Sequence, residues 1–138
     1  MVTNIASISV SAMIAASRRL ETAARNIANA NTVGSLDAGP SPSESLRAQQ
    51  AYQPRRIEQF SLANGGVATR EVPVEPATVR RFAPGHPLAN DDGLVAAPNV
   101  SLTSQVLELK LAAQSYRTNL AVLRIINQVI GELIDARS

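Results

Sequence analysis

The chain holds a single histidine, His86, between two prolines in Pro84-Gly85-His86-Pro87, and Asp91 and Asp92 follow in Asn90-Asp91-Asp92-Gly93. Imidazoles and carboxylates are the side chains that ligate metals and move protons. A zinc site needs three or four convergent ligands. A catalytic imidazole needs an orienting partner and a nucleophile or substrate pocket. One His and two adjacent acids supply neither set. A calcium loop takes ligands at alternating positions and closes with a Glu. Here the acids are adjacent and the Glu is missing. Both segments therefore read as turns, with Pro84, Gly85, His86, Pro87, Gly93, Pro98 and Asn99 fixing the shape of a structural loop over 84–99.

The remaining reactive chemistry is thin. No Cys is present, which excludes a disulfide framework, a thiolate metal site and a Cys nucleophile. Gly65-Gly66 is too short for a phosphate loop. No paired carboxylates and no Ser/His/Asp set stand out. The expectation is a protein that is not an enzyme, with no catalytic residue, metal or cofactor.

Composition points to helices. Hydrophobic residues make up 45% of the 138, but aromatics only 3%: Phe60, Phe82, Tyr52 and Tyr116. Aromatics bring large buried areas to compact cores, so their scarcity argues for helix-on-helix packing through small residues such as Ala. Formal net charge is +2, and the basic pairs Arg18–Arg19, Arg55–Arg56 and Arg80–Arg81 are scattered. No basic stripe interleaved with aromatics appears, so nucleic acid is not an expected partner. Residues 2–17 are uncharged and moderately apolar, but the first basic residues follow that run, whereas a signal peptide has them before it. No run of 18 apolar residues exists, so no stable membrane insertion is expected.

The last third carries the strongest pattern. Leu102, Val106, Leu109, Ala113, Tyr116, Leu120, Leu123, Asn127, Ile130 and Ile134 follow at alternating steps of four and three. That period of 3.5 marks a helix that supercoils on a neighbour. A second apolar stripe runs beside it through Leu107, Leu111, Val122, Ile125, Ile126, Val129 and Leu133. The spacing predicts a helix over roughly 102–136, about 50 Å long, capped by Asn99 or Ser101. Residues 4–30 predict a second helix, with Ile8, Ala12, Ala16, Leu20, Ala23, Ile27 and Ala30 on one face and Asn4 as its cap. Gly34, Gly39, Pro40 and Pro42 mark a linker over 34–50, with a short helix expected over 44–51. Asn64-Gly65 between β-prone runs predicts a hairpin whose second strand Pro73 and Pro76 demote to an edge or end, and Thr78–Phe82 a third strand.

The architecture expected is mainly α with a small β insert. Residues 1–33 form the N-terminal helix of a coiled-coil domain, 34–99 the linker, a central β-hairpin and the Pro/Gly loop, and 100–138 the C-terminal helix. One helix with two apolar faces needs more partners than this chain supplies, and each exposed Leu, Ile or Val forgoes roughly 1.5–3 kcal/mol. Assembly follows as the first expectation. Asn127 lies on the seam either at its wet edge or as a register-fixing polar residue. A monomeric helical module that takes a partner helix is the alternative.

Several segments resemble those of bacterial flagellar axial proteins. Asn26-Ile27-Ala28-Asn29-Ala30-Asn31-Thr32, near the end of an N-terminal helix, is similar to their signature. Ala51-Tyr52-Gln53-Pro54-Arg55-Arg56 resembles the segment that opens the insert of proximal rod proteins. Phe82-Ala83-Pro84-Gly85-His86-Pro87-Leu88-Ala89-Asn90-Asp91-Asp92-Gly93-Leu94-Val95, followed by Pro98-Asn99-Val100, resembles the loop of the C-type proximal rod proteins. Ser115-Tyr116-Arg117-Thr118-Asn119-Leu120 is similar to a motif in their C-terminal helix. The resemblance implies a coiled-coil inner domain built from both termini, with the insert packed outside. It implies export through the flagellar type III apparatus without a cleaved signal, and polymerisation in the periplasm into a drive shaft. The implied partners are other copies, neighbouring rod proteins and export-gate or rod-base components. A rod subunit at a different position, a paralogue, is the nearest alternative. The face of the first helix from Ile8 to Ile27 and the heptad seam of the last helix from Leu102 to Ile134, together with Asn26, Asn29, Asn31 and Asn119, are the expected subunit interface.

Overall fold

A computed structural model describes residues 2–36, 50–63 and 65–136. The helix expected over 44–51, most of the linker and Asn64 lie outside the described residues, wholly or in greater part.

The first helix, α1, is Val2–Ala28. It starts before the expected cap: Asn4 lies inside it, and its carbonyl accepts from Ser7 Oγ at 2.8 Å. The buried face comprises Ser9, Ala15, Ala16, Thr22, Ala23 and Asn26. Half of these are polar, so an apolar count alone places the stripe only approximately. The last helix, α2, is Leu102–Asp135, and Ser101 caps it by accepting from Ser104 N. Asn99, the other expected cap, instead ties the chain back: its amide bonds Ala77 O and its side chain Pro76 O, both at 2.9 Å.

The two helices are antiparallel. Asn26, near the end of α1, meets Gln105 in the first turn of α2, and Arg19 meets Glu108 one turn on. Ala16, Ala23 and Ala112 are almost wholly buried, and their small side chains let the helix backbones approach closely. The face of α2 turned to α1 runs through Gln105, Glu108, Ala112 and Ile126. It lies to one side of the heptad seam, which leaves Leu102, Val106 and Asn127 exposed.

Strands β1 (Arg55–Ser61) and β2 (Val67–Pro73) pair antiparallel from Arg55↔Pro73 to Ser61↔Val67. Leu62 N bonds Gly66 O at 2.8 Å and Gly65 N bonds Leu62 O at 2.9 Å, a loop longer than a two-residue Asn-Gly turn. Gly65 takes φ +85°, which favours glycine. The hairpin lies along α1: Val67 N bonds Ser11 Oγ at 3.1 Å, and a Cβ on Gly65 would stand 3.2 Å from Ile8 Cδ1.

Strand β3 (Thr78–Phe82) falls on the expected residues, but it pairs with β4 (Leu94–Pro98), which replaces the end of the expected loop. Pro98 is thus a strand residue, opposite Thr78. Leu94-Val95-Ala96-Ala97 is a short apolar run without alternation, buried almost throughout, and turn residues on both sides hide it from a period-two reading. Gly34 and Ala96 exchange two backbone bonds, of 2.8 and 2.9 Å, beside it. Val33, Val95 and Ala97 form a small core against which Ala83 and Ala89 pack.

Candidate functional site

The joint between the helices and the first hairpin is polar, and Asn26 is its centre. The residue is only 2% exposed. Its Nδ2 donates to Arg55 O at 2.7 Å and to Gln105 Oε1 at 3.0 Å. Its Oδ1 accepts from Tyr52 OH at 3.0 Å and from Arg55 N at 3.1 Å. These four bonds use both donors and both acceptor sites of the carboxamide. One side chain on α1 therefore holds α2, β1 and the segment before β1. Burying an amide is tolerable only when it is satisfied in this way.

Charge surrounds the joint. Arg19 makes a two-point contact with Glu108, through Nε to Oε1 and Nη2 to Oε2, the latter at 3.0 Å. This contact holds the guanidinium pKa above its ordinary value. Glu71 on β2 sits between Arg25 at 2.9 Å and Arg55 at 3.8 Å. Burial pushes the Tyr52 hydroxyl pKa upward, opposed in part by Arg25 and Arg55.

The Pro/Gly loop is braced by its own backbone. His86 N bonds Ala83 O, Ala89 N bonds His86 O, and Ala83 N bonds Gly93 O, at 2.8–3.0 Å. His86 Nδ1 accepts from Leu88 N at 3.2 Å, so this ring nitrogen shapes a turn. Asn90 Oδ1 accepts from Leu94 N at 2.9 Å. Gly93 has φ +72°, and a Cβ there would lie 3.0 Å from Pro84 Cβ and 3.1 Å from Phe82 Cε2. Among the described residues no group of three His, Cys, Asp or Glu could hold a metal ion.

The expected interface residues divide into three groups. Ala16, Ala23 and Asn26 are buried within their own chain, so Asn26 spends its bonds on Arg55, Tyr52 and Gln105 and has none left for a neighbouring subunit. Ile8, Ala12, Leu20, Ile27, Asn29, Leu109, Ala113, Tyr116, Asn119, Leu120 and Leu123 are half-buried. The Asn29 and Asn119 side chains donate back to carbonyls of Arg25 and Ser115 on their own helices. Asn31, Leu102, Val106, Asn127, Ile130 and Ile134 are exposed. The second stripe contributes Leu107, Leu111, Ile125 and Leu133, all more than half exposed, and α1 adds Ile5, Val10 and Ile14. Gln105 carried no sequence signal for its role in the joint, and Tyr52 showed only as part of the 51–56 segment that resembles the start of the insert, because single polar residues in a loop and a first helical turn have no periodicity to betray them.

A helical hairpin with open apolar rows along both helices defines a class of protein whose surface is completed by partners. Comparison with known proteins narrows the class. The family Flagella basal body rod protein matches residues 7–34, the stretch that ends on Asn26 and its followers. The chain is 37% identical over 121 residues to the flagellar basal-body rod protein FlgC of Yersinia enterocolitica, covering 87% of this chain and 86% of that one. It is 33% identical over 128 residues to FlgC of Salmonella typhimurium, covering 92% and 91%. The chain belongs to the FlgC family of flagellar basal-body rod proteins.

Proposed function

We propose that this chain is a structural subunit of the bacterial flagellar proximal rod. It polymerises through its terminal helices into the drive shaft that transmits torque and conducts exported subunits. The observation that carries this reading is the apolar surface open on both helices of a chain similar to FlgC proteins along nearly its whole length. Residues 1–33 and 100–138 act as the coiled-coil unit, and 34–99 as the outer insert. The subunit contacts fall to the exposed faces, Leu102, Val106, Asn127, Ile130 and Ile134 with the second stripe. The buried members of the expected set position those faces. The partners are other copies, neighbouring rod proteins and rod-base or export-gate components. The subunit reaches the periplasmic rod through the flagellar type III apparatus without a cleaved signal, and its role is mechanical, not catalytic.

Truncation tests the contacts. In a strain lacking the gene, chains without residues 1–30 or 102–138 should stay soluble and fail to restore motility. A truncated chain that still builds rods would overturn the assignment of assembly to the helices.

A further inference from the structure

The second hairpin stands apart from the rest of the fold. Neither β3 nor β4 packs against a helix or against the first hairpin. Strand β4 is flanked on both sides, by β3 and by Gly34. Among the described residues β3 pairs on one side only, so its outer edge is open.

The bonds at the two ends of the ladder fix which backbone groups face outward. Ala83 N bonds Gly93 O at 2.8 Å, and Asn99 N bonds Ala77 O at 2.9 Å. Opposed residues of an antiparallel pair are alternately bonded and unbonded. In the register from Thr78↔Pro98 to Phe82↔Leu94, Val79 and Arg81 therefore bond β4. Pro98, which has no N–H, faces Thr78, as that phase requires. Ala96, opposite Arg80, gives both of its groups to Gly34. The N–H and C=O groups of Thr78, Arg80 and Phe82 thus point away from β4. None of them has a backbone partner among the described residues.

The side chains of this edge are basic and apolar. Val79, Arg80, Arg81 and Phe82 are exposed, Phe82 by 71%. Neither arginine makes an ion pair among the described residues. Asp92 shares a cavity of about 210 Å³ with Arg80 and so answers part of that charge. Arg81 lies on the other face of the strand, opposite Val95, and neither strand carries an acid.

We propose that the β3 edge takes an extended acidic segment of another protein as an added strand. Main-chain bonds to Thr78, Arg80 and Phe82 supply affinity, and alternate side chains supply specificity. The partner carries a carboxylate on the face of Arg81 and apolar residues beside Val79 and Phe82. Charge excludes a second copy at this edge. Two β3 edges paired antiparallel about their centres set Arg80 against Arg80 or Arg81 against Arg81, and like charges directly opposite destabilise a pair. The same arginines that bar self-pairing admit an acidic strand. The proposal goes beyond the rod reading and holds for the isolated chain.

Amide hydrogen exchange of the full-length chain, read residue by residue by NMR, tests the edge. In the free chain Arg80 and Phe82 should exchange fast, and Val79 and Arg81 slowly. The probe is the blocked peptide acetyl-Thr-Val-Glu-Glu-Val-Thr-amide at millimolar concentration. It should slow Arg80 and Phe82 by about tenfold or more. A Lys-Lys version should not, nor should the Glu-Glu peptide N-methylated at every residue, which keeps the charge and loses the backbone donors. Arg81→Glu should abolish the response to the Glu-Glu peptide and create one to the Lys-Lys peptide. Slow exchange of Val79 in that variant shows that the strand pair is intact. No slowing by the Glu-Glu peptide would overturn the proposal, as would equal slowing by either control. Slowing that rises with protein concentration in the absence of peptide would mean self-pairing and overturn it. Slowing by phosphatidylglycerol vesicles alone would assign the edge to a lipid surface and overturn it as well.

Discussion

The Asn26 side chain pairs with the backbone of Arg55 as a neighbouring strand would, accepting from its N–H at 3.1 Å and donating to its carbonyl at 2.7 Å. The residue thereby joins a helix to the first residue of β1 through hydrogen bonds.

Asn26→Ala should destabilise the isolated subunit by about 3 kcal/mol or more. It removes four hydrogen bonds and leaves the Arg55 backbone, Tyr52 OH and Gln105 without their partner, at about 0.5–1.5 kcal/mol for each bond lost. Asn26→Asp should also destabilise, because it replaces the donor facing Arg55 O and Gln105 Oε1 with an acceptor. Urea denaturation of both variants checks this. Wild-type midpoints would show that the joint contributes nothing.

Much of this arrangement was legible in the sequence, and the exceptions have physical causes. Helix α2 and strand β3 were readable because long apolar periodicity and a β-prone run bounded by turn residues are strong local signals. The beginning of α1 was not, because Asn4 suits a cap as well as a first helical turn. Strand β4 was hidden because burial on both faces removes alternation. The Asn26 joint was legible only as a family-like motif. Nothing local distinguishes an asparagine that bonds its own chain from one that bonds a neighbour, and the structure shows the first. Asn127 shows the limit of a heptad reading: it lies on the seam but is exposed, because α1 packs against a face to one side.

Gly93→Ala should cost about 1–3 kcal/mol, since φ +72° is unfavourable for an L side chain and the new Cβ meets Pro84 and Phe82. Gly85→Ala lies one residue from His86 in the same loop, where a Cβ meets nothing within 4 Å. It should change stability by less than about 0.5 kcal/mol. Thermal melts of the two variants side by side provide the comparison.

In a Tyr116→Phe background, the remaining tyrosine, Tyr52, should ionise above the ordinary value of about 10. Burial disfavours its phenolate. The folded pKa is raised, so this group's contribution to stability is complete below the unfolded pKa and is lost as pH rises through the folded one. Near-ultraviolet titration of tyrosinate, paired with denaturation at alkaline pH, measures both effects. An ordinary or lowered midpoint would contradict the burial of Tyr52.

Arg19 and Glu108 should show a coupling of about 1 kcal/mol in a double-mutant cycle, at the upper end for partly exposed pairs because the contact is two-point. Their side chains are 21% and 35% exposed. Raising the salt concentration should reduce the coupling. A cycle that closes to zero at low salt would mean that the pair does not latch α2 onto α1.

The most direct test of the central claim is deletion of the gene in its host, followed by imaging of basal bodies in the cell envelope. The account predicts an intact membrane ring with no rod or hook above it, restored by the full-length chain. Normal rods, hooks and filaments in the deletion strain would contradict it.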